Sequence, residues 1–416
     1  MKFEDLGLIE PLLEAIQFEG YTHPTPIQEK AIDPLLDGED IMGCAQTGTG
    51  KTAAFALPIL QRLEELEPLD TGKGGPKHPV RVLVLSPTRE LAQQIDESFE
   101  AYGRYLKHRH TCIVGGVRQG PQVKALRRGV EVVIGTPGRV LDLIGQRHLD
   151  LSWVETFVLD EADRMLDMGF IEDIHKIIRR LPRVRQNLMF SATMPQSIQL
   201  LAHEILDEPV KVTIQPEAPA ADTVNQKVYF VERADKQRLL EHLLSDSEQI
   251  ERALVFIRTK RRADRVCMYL KGANIRAEAI HSDRTQKARE KALKDFKAGK
   301  TRVLVASDIA ARGLDVDGIT HVINYDMPNE PETYVHRIGR TGRAGNEGLA
   351  MSFCDVEERT VLDSIEKLIR KPIDSVDQHP FQSIHPRGNK VEPATQSVGH
   401  LGRRRRLVKR RLGRRR

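Results

Sequence analysis

Ala45-Gln46-Thr47-Gly48-Thr49-Gly50-Lys51-Thr52 follows a short run, Asp40 to Cys44, and opens a stretch with helical patterning. Glycines at 48 and 50 permit positive φ, so successive backbone N–H groups can converge on phosphate oxygens. A helix beginning at Lys51 adds the positive end of its dipole. Lys51 is expected to reach the β- and γ-phosphates of a nucleotide, and the Thr52 hydroxyl to meet Mg2+. The octet is a P-loop with Ala45 where the strict pattern has glycine. A P-loop joins a strand to a helix, so it predicts an α/β fold around a parallel sheet.

The flanking sequence has that form. Apolar runs at Val82–Leu85, Val132–Ile134, Phe157–Leu159 and Leu188–Phe190 alternate with helical patterns such as Glu90 to Tyr102. Such alternation indicates βαβ units and a buried parallel sheet. Residues 215–222, Gln-Pro-Glu-Ala-Pro-Ala-Ala-Asp, break the pattern and read as a linker. A second series follows at Ala253–Ile257, Arg276–Ile280, Val303–Ala306, His321–Asn324 and Leu349–Phe353. Past Pro372 the chain is rich in His, Pro, Gln and Ser and then basic, so 373–416 is expected to be disordered. The expected organisation is an α/β domain at 1–214, the linker, a second α/β domain at 223–372, and the tail.

Composition excludes several classes. The chain has 416 residues, 40% hydrophobic and 30% charged, enough for ordinary cores in two or three domains of about 150 residues each. No apolar run approaches the ~18 residues of a membrane span. Glu4, Asp5 and Glu10 leave no apolar core for a secretory signal. Cys44, Cys112, Cys267 and Cys354 are scattered, and His108 and His110 stand near no further ligands, so neither a disulfide framework nor a zinc site is expected. A reducing, cytoplasmic setting fits. The net charge of +5 hides an asymmetry: residues 403–416 hold ten Lys/Arg and no acid, leaving 54 basic against 59 acidic residues elsewhere. A polycationic tail on a mildly acidic body points to a polyanionic partner, most simply nucleic acid.

Two further segments suit nucleotide chemistry. The strand-like Thr156-Phe157-Val158-Leu159 runs into Asp160-Glu161-Ala162-Asp163. Asp160 at a strand end can hold Mg2+ largely through water, and Glu161 can orient or deprotonate the attacking water. The plainer alternative is an acidic turn whose carboxylates cap the next helix. His336-Arg337-Ile338-Gly339-Arg340-Thr341-Gly342-Arg343 spaces three arginines at i, i+3 and i+6. Arginines presented to a γ-phosphate stabilise phosphoryl transfer; the plainer alternative is a basic loop. Because this segment lies in the second domain, the chemistry would require the two domains to close on each other.

Together these residues resemble the DEAD-box ATP-dependent RNA helicases of superfamily 2, whose name stands here as Asp160-Glu161-Ala162-Asp163. The match runs in order from Phe3 to about Phe353. It includes Pro24-Thr25-Pro26-Ile27-Gln28 (the Q motif, within 1–29), Pro87-Thr88-Arg89-Glu90-Leu91, Gly115-Gly116 and Thr136-Pro137-Gly138-Arg139. It continues through Ser191-Ala192-Thr193, Val255-Phe256-Ile257, Gln286 with Arg289, Ala306 to Asp315, and His336 to Arg343.

The resemblance implies two RecA-like domains with ATP, Mg2+ and single-stranded RNA bound across their cleft. It implies that Gln28 reads the adenine edge, that Phe3 stacks on the base and that Asp308 contacts the ribose. Lys51, Thr52, Asp160, Glu161, Arg340 and Arg343 would be catalytic, the two arginines as fingers. Thr88, Arg89, Gly116, Thr136, Gly138 and Arg139 would hold the RNA backbone from one domain, and Gln286, Arg289, Ser307, Arg312 and Gly313 from the other. Asp163, Ser191, Thr193 and His336 would relay the ATP state to the RNA state.

The departures from the family pattern are Ala45, Tyr21 for the usual Phe, Ser307 for Thr, and Ser282 for the Gly that usually follows the His281 position. None removes a catalytic group. The compact chain looks most like the bacterial RhlE-like branch, with ribosomal or RNA-decay proteins as expected partners. The function expected is ATP-driven unwinding or remodelling of RNA duplexes and RNA–protein complexes. An ATP-gated RNA clamp or annealing scaffold with weak unwinding, and a DNA-directed ATPase, are the alternatives.

Overall fold

The computed structural model describes residues 1–45, 48–66, 69, 78–214, 224–246, 250–311, 316, 318–342 and 348–384. Gln46, Thr47, Arg312, Gly313 and Arg343, the linker 215–222 and everything beyond 384 lie outside the described residues.

The first sheet consists of β1 (Ile41–Cys44), β2 (Val82–Leu85), β3 (His110–Ile113), β4 (Val132–Gly135), β5 (Thr156–Leu159), β6 (Gln186–Ser191) and β7 (Val210–Thr213). Its order is β3-β4-β2-β5-β6-β1-β7, with every pair parallel. Side chains alternate across the pleat and helices cover both faces. Val82 and Val84 join one buried cluster, Leu83 and Leu85 the opposite one.

The second sheet holds β8 (Val224–Phe230), β9 (Ala253–Phe256), β10 (Ala277–Ile280), β11 (Val303–Ala306), β12 (His321–Asn324), β13 (Gly348–Cys354) and β14 (Asp374–Ser375). Its order, β10-β11-β9-β12-β13-β8-β14, repeats the first sheet strand for strand. All these pairs are also parallel. The chain thus contains one architecture twice, without a short-period repeat in its sequence.

This repetition corrects the expected start of the tail. Residues 373–384 are part of the second fold, because β14 takes the edge position that β7 holds in the first. Ile373 is buried. Val376 N–H donates to Val228 O at 2.9 Å, and Gln382 bridges Val231. Phe381 packs edge-on to His242, under the Arg238 guanidinium. A few spaced apolar residues suffice when the sheet edge supplies the backbone partners.

In both halves the loops carrying the notable motifs leave the carboxyl ends of parallel strands. Ligands bind there in open α/β sheets.

Candidate functional site: a cleft between two parallel sheets

The loop after β1 leads into the helix Lys51–Glu65. Gly48 and Gly50 take φ of 84° and 89°. At Gly50 a Cβ would come within 2.5 Å of Gln28 Nε2, so space as well as conformation demands glycine. Gln28 is buried and spans two elements. Its Oε1 accepts Thr25 N–H at 2.9 Å, and its Nε2 donates to Gly50 O at 3.1 Å. The residue expected to read a base thus also ties the N-terminus of the helix Pro26–Leu36 to the phosphate loop. Lys51 Nζ donates to Ala45 O at 2.8 Å.

β5 delivers Asp160 and Glu161 to the same place. Asp160 is buried and its Oδ1 has no hydrogen-bond partner. Burial pushes its carboxyl upward; Lys51 opposes that shift and Glu161 adds to it. An orphaned carboxylate oxygen beside a second acid suits a cation, so Asp160 and the nearby Thr52 fit Mg2+ by their donor chemistry. Glu161 has φ of 55°, the left-handed region that a non-glycine residue enters at a cost. Its Oε2 accepts from Arg164 Nη1 at 2.6 Å, with both side chains buried. Arg164 was not singled out from sequence, although it stands three residues on.

Phe3, Tyr21, Gln28, Gly48, Gly50, Lys51, Thr52, Asp160 and Glu161 from the first half and Arg340 from the second line one cavity of about 520 Å3. Phe3 is nearly buried, at 4% exposure, whereas Tyr21 is 44% exposed. The Tyr21 hydroxyl stands 3.4 Å from that of Tyr102. Asp308 is bound otherwise: Arg337 Nε and Nη2 donate to its two oxygens at 2.6 and 2.7 Å. A ribose hydroxyl at Asp308 would share the carboxylate with that arginine.

Asp163, Ser191 and Thr193 come together. Asp163 Oδ2 accepts Thr193 N–H at 2.9 Å and Thr193 Oγ1–H at 2.8 Å. Ser191 Oγ accepts Asp163 N–H at 3.3 Å and donates to Thr193 O at 2.7 Å. His336 is half-buried on the helix Pro331–Ile338.

A second cavity, also about 520 Å3, is lined by Thr88, Arg89, Glu90, Thr136, Gly138, Arg139, Ser282 and Arg289, among others. Thr88 caps the helix Arg89–Tyr102, its Oγ1 accepting Leu91 N–H at 3.2 Å. Gly116 lies against Arg89, whose Nη1 a Cβ there would strike at 1.9 Å. Ser282 does not adopt positive φ, so its turn has no need of glycine. Burial, then Arg289, pulls the Arg89 guanidinium below its ordinary value, with Glu90 opposing and Arg139 adding. Arginines gathered this closely form a place for an anion. Gln286 Oε1 and Arg289 Nε are buried without partners in the same region. Ser307 is half-buried after β11.

Comparison with known proteins follows the same division. A DEAD/DEAH box helicase family model matches residues 25–201, and a helicase conserved C-terminal domain model matches 235–345. The DEAD-box ATP-dependent RNA helicase CshA of Bacillus cereus is 44% identical over 375 residues, 90% of this chain and 69% of that protein. The structure of S. cerevisiae Dbp5 bound to RNA and ADP BeF3 superposes with a TM-score of 0.79 at 32% identity, covering 90% of this chain and 95% of that one. Mss116p bound to ssRNA and AMP-PNP gives 0.79 at 28% identity, covering 91% and 79%.

Proposed function

The chain belongs to the DEAD-box ATP-dependent RNA helicases, and from that premise we propose how its own residues divide the work. It is an RNA-stimulated ATPase built from two tandem RecA-like domains, and it couples ATP turnover to the opening of RNA structure. The observation that carries the assignment of roles is the cavity in which Lys51, Thr52, Asp160 and Glu161 meet Arg340 of the other half.

In this reading the phosphates of ATP lie on the backbone N–H groups after β1, and Lys51 exchanges Ala45 O for a phosphate oxygen. Thr52 and Asp160 hold Mg2+, which when bound offsets phosphate charge. Glu161, held by Arg164, orients the water and takes its proton. Arg340, with Arg343 as its proposed companion, stabilises charge on the transferred group. Gln28 reads the adenine edge with the valences its two internal hydrogen bonds leave free. The aromatic rings of Phe3 and Tyr21 stand at the base.

The second cavity is the proposed seat of the RNA backbone. Thr88, Arg89, Gly116, Thr136, Gly138 and Arg139 serve it from one domain. Gln286, Arg289 and Ser307 serve it from the other, with Arg312 and Gly313 proposed to join them. Contacts to phosphate and sugar make the binding sequence-independent. ATP and RNA both span the two domains, so each favours closure and tightens the other. A strand bent by closure leaves the A-form duplex, and the pairs beside it open. The Asp163–Ser191–Thr193 knot, with His336, is proposed to carry the ATP state to the RNA face.

We place the chain with the CshA-type helicases. The RhlE-like branch, expected from compactness alone, draws no support from the relatives reported above. Cytoplasmic RNA, with ribosomal or RNA-decay proteins, is the proposed setting.

The test is steady-state ATPase with single-stranded RNA or DNA, with Glu161→Gln as the blank. Stimulation by RNA alone is expected. Equal stimulation by DNA would sink the RNA assignment, and a duplex-opening assay separates a helicase from a clamp.

A further inference from the structure

The second domain carries another cationic cavity, which shares no lining residue with the two in the cleft. It measures about 350 Å3 and is lined by Arg233, Arg258, Arg261, Arg262 and Arg265 against a single carboxylate, Asp326. Nothing in the proposed ATPase or cleft chemistry uses these arginines.

Its acids are already engaged. Asp326 Oδ1 accepts from Arg262 Nη1 at 3.0 Å, and its Oδ2 accepts Arg258 N–H at 3.0 Å. Glu358 Oε1 accepts from Arg258 Nη2 at 3.2 Å, while its Oε2 takes the ammonium of the fully buried Lys236. These bonds fix Arg258 and Arg262 in place and spend the negative charge nearby. Arg233 meets Glu357 at 3.4 Å, but both side chains are mostly exposed, so that pair is weak. Arg261 and Arg265 lie one turn apart on the exposed face of the helix Lys260–Gly272 and have no ion-pair partner among the described residues. Neighbouring carboxylates are taken: Asp264 by Arg284 and His281, Asp283 by Lys260.

The chemistry of the lining selects among polyanions. Guanidinium forks match phosphate oxygens two at a time. The cavity offers no apolar side chain of the kind that anchors a protein partner. No aromatic residue lines it, and Tyr325, next to Asp326 in the chain, is buried with the Arg262 guanidinium over it, 5.2 Å from its centroid. No face is left on which a base would stack, so the contact is to backbone.

The chain's own course supports the same ligand. Ser383 N–H donates to Phe230 O at 2.9 Å, and Ser383 Oγ donates to Glu232 Oε1 at 2.5 Å. Glu232 immediately precedes Arg233. The last described residues, 383 and 384, thus end near Arg233, and the sequence after them holds ten Lys/Arg past position 402.

We propose that this arginine cavity is an auxiliary site for RNA backbone phosphates, holding a strand that extends beyond the cleft. The proposal rests on the RNA reading of the cleft and adds a site to it.

The experiment compares the full chain with a double variant, Arg261→Glu and Arg265→Glu, and with its lysine counterpart, Arg261→Lys and Arg265→Lys. Binding is titrated over a range of salt with single-stranded RNA of about 8 and about 30 nucleotides, lengths near and well beyond a single binding footprint. For the glutamate variant, affinity for the long RNA is expected to fall roughly tenfold at about 0.1 M salt. Its salt slope is expected to lose about 1.4, as for two phosphates on a single strand. Binding of the short RNA and the ATPase it stimulates are expected to stay unchanged, and the lysine variant to retain most of the affinity. Unchanged long-RNA affinity and slope would overturn the auxiliary site. Equal losses with both RNAs would also overturn it, by placing these arginines in the cleft's own footprint. Failure of the cleft reading appears separately, as absence of RNA-stimulated ATPase in the unaltered chain.

Discussion

Glu90 of the first domain and Arg289 of the second form an ion pair of 2.7 Å with both side chains buried, 3% and 9% exposed. Gln286 Nε2 approaches Glu90 Oε1 and Gln93 Oε1 at 3.3 Å, and Gln93 Nε2 donates to Glu290 at 2.8 Å. Two of the residues proposed to grip RNA from the second domain, Gln286 and Arg289, therefore also hold the two domains together. A carboxylate in this position pre-aligns Arg289 and Gln286 beside Arg89. Closure and the assembly of the RNA seat become one event.

Removing that carboxylate is expected to weaken the coupling between ligands. In Glu90→Ala the Arg289 charge stays buried without its partner, and the closed state loses its advantage. The affinity of a non-hydrolysable ATP analogue should then depend less on RNA, by about 1–3 kcal/mol of coupling. Titrating the analogue with and without saturating RNA measures this. Coupling equal to that of the unaltered chain would remove Glu90 from the closure mechanism.

Glu161→Gln should leave ATP and RNA binding intact and lower turnover by roughly 10²–10⁴-fold, the usual contribution of a general base. Arg164→Ala should follow it in direction, because it frees the Glu161 carboxylate from its 2.6 Å anchor. Single-turnover hydrolysis alongside equilibrium binding separates the two effects. Full turnover in both variants would exclude the assigned base.

Gln28→Ala is expected to reduce the preference for ATP over GTP and to raise the KM for ATP. It removes both the proposed base contact and the Gly50 tether at 3.1 Å. Competition between the two nucleotides measures the preference. If discrimination persists while KM rises, Gln28 acts only through the phosphate loop.

Asp163→Ala should open the knot with Thr193 and Ser191 while leaving Glu161 in place. Duplex opening should therefore fall much further than RNA-stimulated ATPase, and the ratio of the two rates is the readout. Proportional loss of both would argue for a plain structural role.

Arg337→Ala should destabilise the second domain by about 1–3 kcal/mol, the cost of leaving the partners of a buried guanidinium unsatisfied while Asp308 stays partly exposed to water. Arg337 also donates to Asn324 Oδ1 at 3.1 Å and Asp326 O at 2.7 Å, so the segments at 308 and at 324–326 lose a common partner. Urea unfolding followed by circular dichroism should show an earlier transition. An unshifted midpoint would contradict this account.

The strands and the chemical motifs were largely legible. Val82–Leu85 and Val303–Ala306 read as buried strands because their residues are apolar at consecutive positions, as a sheet covered on both faces requires. Asp160 and Glu161 could be placed because an apolar run ended on them. Weaker signals hid other elements. β3, His110–Ile113, is a partly buried edge strand of mixed character, and β14 is two exposed residues. Arg337 read as one more arginine of a triplet, yet its bidentate bond to Asp308 makes it a brace of the domain. Tyr102 carried no local sign that it meets Tyr21, which lies 81 residues away.

What the sequence by itself determined is local chemistry: a phosphate loop, an acidic strand end, arginines at set spacings, and apolar periods long enough to demand two parallel sheets. Those follow from backbone freedom at glycine, charge, and the burial of alternating faces. The tertiary structure alone decided which distant residues share a cavity. Arg340 lines the same cavity as Lys51, and Arg289 meets Glu90, each pair about 200 residues or more apart in the chain. It also showed that Asp374–Ser375 form the edge strand of the second sheet, and that five arginines gather on one face of that domain with their neighbouring acids already spent. Burial and partnership depend on how whole domains pack, and no window of sequence carries that information.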